Sequence, residues 1–155
     1  MNNKRYFVVA GSREYNDYIE FSNIMDGLLS RLNNKNIIII SGGARGTDKM
    51  AEKYCSERDI ENIVIYAEWD KYRIDGSKFN PAGFIRNRQM HEYMLKHAED
   101  YHHRGCICFW DGDGRGTSNN FEICKEFSTS IVIYNWKTKQ YMNPNYVKGY
   151  KYKIK

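Results

Sequence analysis

Two loops of matching chemistry stand out: Gly43-Ala44-Arg45-Gly46-Thr47, behind the apolar run Ile37 to Ser41, and Asp113-Gly114-Arg115-Gly116-Thr117, behind Cys106 to Trp110. Each sets Arg-Gly-Thr between a strand-like run and a helix-like stretch. Glycine admits positive φ and a close backbone approach, and a helix that starts just after such a loop presents unpaired N–H groups and the positive end of its dipole. Those features suit phosphate or another anion. A tight strand-to-helix turn also favours glycine and an N-capping threonine, so each loop alone has two readings. Their repetition favours one ligand held from two sides.

Other residues join this candidate set. Gly11-Ser12-Arg13 follows a first apolar run, Ser41-Gly42 precedes the first Arg-Gly-Thr loop, and Asp48 follows it. Arg86, Asn87 and Met90 sit in one polar stretch, and Trp110-Asp111 leads into the second loop. Arg13, Arg45, Arg86 and Arg115 carry the planar fork that clamps phosphate, although a lone loop arginine is more often a solvated charge. Asp48 suits a ribose hydroxyl or a favourable first-turn anion on its helix. Trp69 and Trp110 suit base stacking or the core. His91, His97, His102 and His103 show no ligand spacing and read as surface histidines. Cys55, Cys106, Cys108 and Cys124 form no Cys-x-x-Cys and read as reduced core thiols; neither a metal site nor a cofactor is expected. Gly-x-x-x-x-Gly-Lys-Ser/Thr is absent, no Gly-x-Gly-x-x-Gly follows the first strand, and there is no Gly-x-Ser-x-Gly elbow. These absences argue against an ordinary Walker A ATPase, an NAD dehydrogenase and an elbow hydrolase.

The elements that must position these loops follow from periodicity. Tyr6 to Ala10, Asn36 to Ser41, Ile63 to Ala67, Gly105 to Trp110 and Ser130 to Tyr134 read as strands. The four isoleucines 37 to 40 are the continuous apolar run of a strand covered on both faces. Tyr18 to Leu32 repeats apolar residues at helical spacing (Phe21, Ile24, Met25, Leu28, Leu29, Leu32). Further helices are expected after Thr47, over Ala82 to His97 behind Pro81, and over Ser118 to Phe127. Glu68 to Pro81 is longer than an ordinary connection, a length that points to function. Strands alternating with helices predict an α/β fold, a single Rossmann-like, doubly wound, mostly parallel five-stranded sheet with a C-terminal strand or hairpin appendage. An order of 3-2-1-4-5 would gather the three glycine loops at the carboxyl ends of the strands, where such sheets bind ligands.

With 155 residues, 41% of them hydrophobic, the chain suffices for one compact domain. We divide it into a part that carries the anion-binding loops, 1–134, and a basic aromatic extension, 135–155, packed on the same domain. That extension carries six lysines and no acid, leaving 18 basic against 19 acidic residues elsewhere. Lysines interleaved with tyrosines suit nucleic acid, but the alternation from Tyr150 to Lys155 describes an edge strand better. No run approaches the roughly 18 apolar residues of a membrane span, and the start lacks a signal-peptide core, so a cytoplasmic protein is expected. A leftover apolar helix face would suit a homo-oligomer.

Taken together, Gly11-Ser12-Arg13, Ser41 to Asp48, Ala82 to Met90 and Phe109 to Thr117 resemble the SLOG superfamily. This Rossmann-like group includes the DNA-processing protein A fold and the LOG phosphoribohydrolases, and the likeness is strongest to its small stand-alone YpsA-related branch. The resemblance spans roughly Tyr6 to Tyr134. It implies a nucleotide-derived ligand, with Gly42, Gly43, Gly46, Thr47 and the Gly114 to Thr117 turn around phosphate or ribose and Arg86 facing the ligand. LOG enzymes pair an Arg-Lys-x-x-Met motif, which Arg86 to Met90 resembles, with a Glu three residues after Gly-Thr. Asn120 stands at that second position here. An amide neither takes a proton nor stabilises an oxocarbenium ion as a carboxylate does, and Glu122 lies about 200° away around the helix. Non-catalytic binding is therefore expected: a sensor or sponge for an ADP-ribose-type or cyclic nucleotide signal. The alternative is a phosphoribohydrolase-like enzyme using Arg86 with Asp48 or Asp111.

Overall fold

The computed structural model describes residues 3–144. The alternation Tyr150 to Lys155 lies outside the described residues. Six strands, β1 (Arg5–Gly11), β2 (Ile37–Ser41), β3 (Glu61–Val64), β4 (Arg104–Trp110), β5 (Ile131–Asn135) and β6 (Gln140–Met142), alternate with four helices until β5. The helices are α1 (Tyr18–Leu29), α2 (Thr47–Arg58), α3 (Ala82–His97) and α4 (Arg115–Phe127). The sheet order is β3-β2-β1-β4-β5-β6, so the expected 3-2-1-4-5 arrangement is present and the appendage is a sixth strand. β1 to β5 pair in parallel, whereas β6 returns antiparallel on β5. The turn between them is closed by Asn135 Oδ1, which accepts from the N–H groups of Lys137 and Thr138.

Alternation along the strands sorts the core into two layers. Val8, Ala10, Ile38, Ile40, Cys106 and Cys108 pack with Met90 and Met94 of α3 and Phe121 and Cys124 of α4. Val9, Ile37, Ile39, Ile107 and Phe109 pack with Phe21 and Met25 of α1 and Ala51 and Tyr54 of α2. The four isoleucines of β2 are at most 1% exposed, and burying each contributes about 1.5–3 kcal/mol. They anchor the strand whose end carries the first Arg-Gly-Thr loop.

Element ends differ from expectation where local chemistry decides. α1 stops at Leu29, three residues early, and Asp17 caps its start by accepting from the N–H of Glu20. β3 begins at Glu61, not Ile63, because Asp59 adopts a left-handed conformation (φ 54°) that turns the chain directly into pairing with β2. α4 begins at Arg115, so the second Arg-Gly-Thr sequence is the first turn of a helix. Residues 65–81 contain neither helix nor strand.

Candidate functional site

The chain direction from β1 leads to β2 on one side, and β4 lies on the other, which opens a crevice beyond the strand ends. Ser12 ties its three loops together. Its N–H donates to Phe109 O at 2.9 Å, its carbonyl accepts from Thr47 Oγ1 at 3.0 Å, and its hydroxyl accepts from Trp136 Nε1 at 3.0 Å. This packing leaves no room at Gly11, where a Cβ would lie 2.4 Å from Thr47 Oγ1 and 2.5 Å from Phe109 O. Gly46 has φ 74°, and a Cβ there would sit 2.4 Å from Arg13 O.

Between these loops lies a cavity of about 500 Å³. Gly11, Ser12 and Arg13 form one wall, Ala44 and Asp48 another, Arg86, Asn87 and Met90 a third, and Asp111 with Gly114 to Thr117 the fourth. An adjoining cavity of about 350 Å³ is lined by Gly42, Gly43 and Arg45, and shares Arg13, Ala44 and Arg86 with the first. Arg45 itself ion-pairs with Glu14 at 2.6 Å in an exposed position.

The buried groups around the cavity hold one another in place. Arg86 donates from Nη1 to Gly42 O and from Nε to Asn87 Oδ1 at 3.2 Å. Its burial pulls the guanidinium pKa down, opposed by the Asp48 carboxylate and assisted by Arg13. Asn87 Nδ2 donates to Gly116 O at 3.0 Å and Asn119 Oδ1 at 3.1 Å, linking α3 to the first turn of α4. Asp48 Oδ2 accepts from the Ala44 N–H at 3.1 Å. Desolvation pushes the Asp48 carboxyl up to about 6, and Arg86 with the N–H groups of Ala44 and Gly42 offsets this only in part. Asp111 behaves oppositely: burial works against its charge, but the N–H groups of Gly114 (2.7 Å) and Asp113 (2.9 Å) outweigh it, and its pKa is lowered. No side chain caps α4, so its first-turn N–H groups start at the cavity wall without a side-chain acceptor at Gly114.

Four of the candidate residues serve the scaffold beneath the cavity. Ser41 Oγ accepts from Asn62 Nδ2 at 3.2 Å, Gly46 and Thr47 lock the loops as described, and Trp110 Nε1 donates to Gly114 O at 3.0 Å. Trp110 is buried against Phe121, at the core position that an aromatic strand end commonly takes. The long connection supplies the mouth: Trp69, Lys78, Phe79 and Asn80 line the cavity, together with Phe84. Trp69 is 42% exposed, and the Arg13 guanidinium lies 5.5 Å from its ring centre. Lys78 and Phe79 lack any motif, and only the length of the connection pointed to them; Phe84 lies on α3 within the Ala82 to Met90 stretch.

Asn120 also lines the cavity, at 1% exposure. Its Oδ1 meets His91 Nε2 at 2.9 Å and its Nδ2 donates to Thr117 O at 3.2 Å. Glu122 is exposed and absent from the lining, as its helical angle requires. His91 corrects the expectation of a surface histidine: it is wholly buried, because its position on α3 faces β4 and α4. Of the other three, His97 and His102 are exposed and His103 is half-buried. All four cysteines are free and buried. No helix among the described residues is long and apolar enough to cross a membrane.

No curated protein matches the chain. The X-ray structure of DNA processing protein A (DprA) from Streptococcus pneumoniae is similar at 14% identity and a TM-score of 0.42, over 83% of this chain and 58% of that one. This chain therefore spans less than two thirds of the length of that protein. Residues 7–72, from β1 into the β3–α3 connection, match the model of the YspA, cpYpsA-related SLOG family, which bears out the resemblance to the SLOG superfamily.

Proposed function

We propose that the cavity binds a nucleotide-derived small molecule, of the ADP-ribose or cyclic nucleotide type, and releases it unchanged. The observation that carries this reading is the convergence of Arg13, Arg86, Arg115 and the start of α4 on one cavity at the carboxyl ends of β1 and β4. Guanidinium forks and helix-start N–H groups satisfy phosphate oxygens from several directions. Trp69 and Phe79 at the mouth offer flat surfaces for a base. Asn120, occupied by His91 and Thr117, supplies no carboxylate at the position where the related hydrolases have one.

A second reading rests on Asp48. A buried carboxyl pushed up to about 6 beside Arg86 in a cavity is suited to proton transfer, and an N-glycosidic hydrolase would use it. The experiment that separates the two is native purification followed by denaturation and mass spectrometry of any released molecule. A second aliquot is incubated with nucleoside monophosphates and ADP-ribose derivatives. An intact nucleotide and no turnover support binding, whereas free base and ribose phosphate lost on Asp48→Asn support the hydrolase.

A further inference from the structure

Behind the cavity wall, three elements bring together groups that no motif connects. His91 of α3, Cys106 of β4 and Cys124 of α4 are all buried, and a ring nitrogen and the two sulfurs lie within 4.8 Å of one another. Cys108, two residues along β4 on the same face, has its Sγ 3.6 Å from that of Cys106. Histidine, thiols and enclosure are the donor set of a thiophilic ion, but also the contents of an ordinary core.

The state of His91 distinguishes these. Asn120 Nδ2 donates to Thr117 O, so Asn120 Oδ1 is the atom facing His91 Nε2 and accepts from it. Nε2 therefore carries the proton, and the lone pair that His91 has left is on Nδ1. That Nδ1 is buried without a hydrogen-bond partner. An orphaned buried acceptor costs about 1–3 kcal/mol, which calls for a reason. Metal-bound histidine commonly shows this pattern, one nitrogen on the ion and the other N–H held by a second group. The tetrahedral bond lengths of zinc, about 2.3 Å to sulfur and 2.0–2.1 Å to nitrogen, separate neighbouring donors by roughly 3.5–3.8 Å. The present separations, up to 4.8 Å, exceed that spacing by about an ångström, so binding would draw the three side chains together.

We propose that His91 Nδ1, Cys106 Sγ and Cys124 Sγ form a structural site for a thiophilic divalent ion, with zinc as the expected occupant. Binding transfers the two thiol protons to solvent, and the ion accepts the two thiolate pairs and the Nδ1 pair. Two thiolates cancel the charge of the ion, so no net charge is left in an apolar core. Cys108 remains a thiol, placed to donate S–H to the Cys106 thiolate, and a neutral water molecule would take the fourth tetrahedral position. The site would tie α3, β4 and α4 together one hydrogen bond behind Asn120.

The test uses the full chain, produced in zinc-supplemented medium without a metal-affinity tag. Elemental analysis should give close to one zinc per chain. Refolding with cobalt(II) instead should give a near-ultraviolet thiolate-to-cobalt charge-transfer band whose intensity corresponds to two thiolates. Cys124→Ala and His91→Gln should lose both signals, and Cys55→Ala, on the opposite core layer, should keep them. If the cluster variants do not fold, the cobalt band of the unmodified chain still decides. Less than about one zinc in ten chains with no cobalt band, or signals unchanged in folded Cys124→Ala, would overturn the proposal.

Discussion

Arg86 of α3 donates a hydrogen bond to the carbonyl of Gly42, 44 residues earlier in the chain, and so ties the residue just past β2 to the helix that covers that strand. A Cβ at Gly42 would lie 2.4 Å from Arg86 Nη1, so glycine at 42 is what permits the approach. Arg86→Ala strands a carbonyl and deprives Asp48 of its neighbouring cation. Urea denaturation should show a loss of about 1–3 kcal/mol. Titration with ADP-ribose should show affinity falling at least about tenfold, the effect of losing one charge-assisted contact. Arg86→Lys should restore only part of both, because an ammonium cannot serve Gly42 O and Asn87 Oδ1 in one plane.

Gly46 and Gly116 should separate scaffold from site. Gly46→Ala forces a Cβ against the Arg13 carbonyl at positive φ and should cost about 3 kcal/mol or more, read by thermal denaturation. Gly116 lies in the first turn of α4, and a Cβ there meets nothing within 4 Å. Gly116→Ala should leave stability equal or raise it by up to about 1 kcal/mol through helix propensity. It should still weaken nucleotide binding, since its methyl group would stand at the cavity wall.

Asp48 makes stability depend on pH. Its folded pKa, about 6, lies above the ordinary value of 3.8, so the folded chain holds the proton more tightly. Stability is therefore highest below about pH 4 for this group and declines as pH rises to about 6, by about 2–3 kcal/mol in all. Asp48→Asn should remove that component from a stability profile measured between pH 4 and 7, because the amide oxygen still accepts from Ala44. An anionic ligand further favours the protonated form, so its affinity should rise as pH falls through about 6, and this slope too should vanish in the variant.

Trp69 lies over Gly83 and beside Arg13 with 42% of its surface exposed. Trp69→Ala should change unfolding free energy by no more than about 0.5 kcal/mol, as surface substitutions do. If the ring stacks on a base, nucleotide affinity should fall by about 1–3 kcal/mol. Equal affinity for ribose 5-phosphate in the two proteins would show that the loss concerns the base alone.

The alternation of β1 to β5 with helices was legible because apolar runs such as the four isoleucines of β2 are separated by stretches of helical spacing, and the order 3-2-1-4-5 was the arrangement expected of such a fold. The loops were legible because glycine marks a close approach, at Gly11 and Gly46 above all. Thr47 and Trp110 were less so: both types serve phosphate or base recognition in a loop, and here one bonds Ser12 O and the other Gly114 O. Which use a hydroxyl or indole takes depends on the neighbour it meets, and that neighbour comes from another element.

The amino-acid sequence by itself determined the alternation of strands and helices and the place of the glycine loops between them, since apolar runs and helical spacing act within single segments. The tertiary structure alone decided that Asp48 is desolvated beside Arg86, that Trp69, Lys78, Phe79 and Asn80 line the cavity, and that His91 joins Cys106 and Cys124 in the core. Those three facts rest on contacts between elements far apart in the chain, where solvent exclusion and neighbouring charge, not residue type, set what each side chain can do.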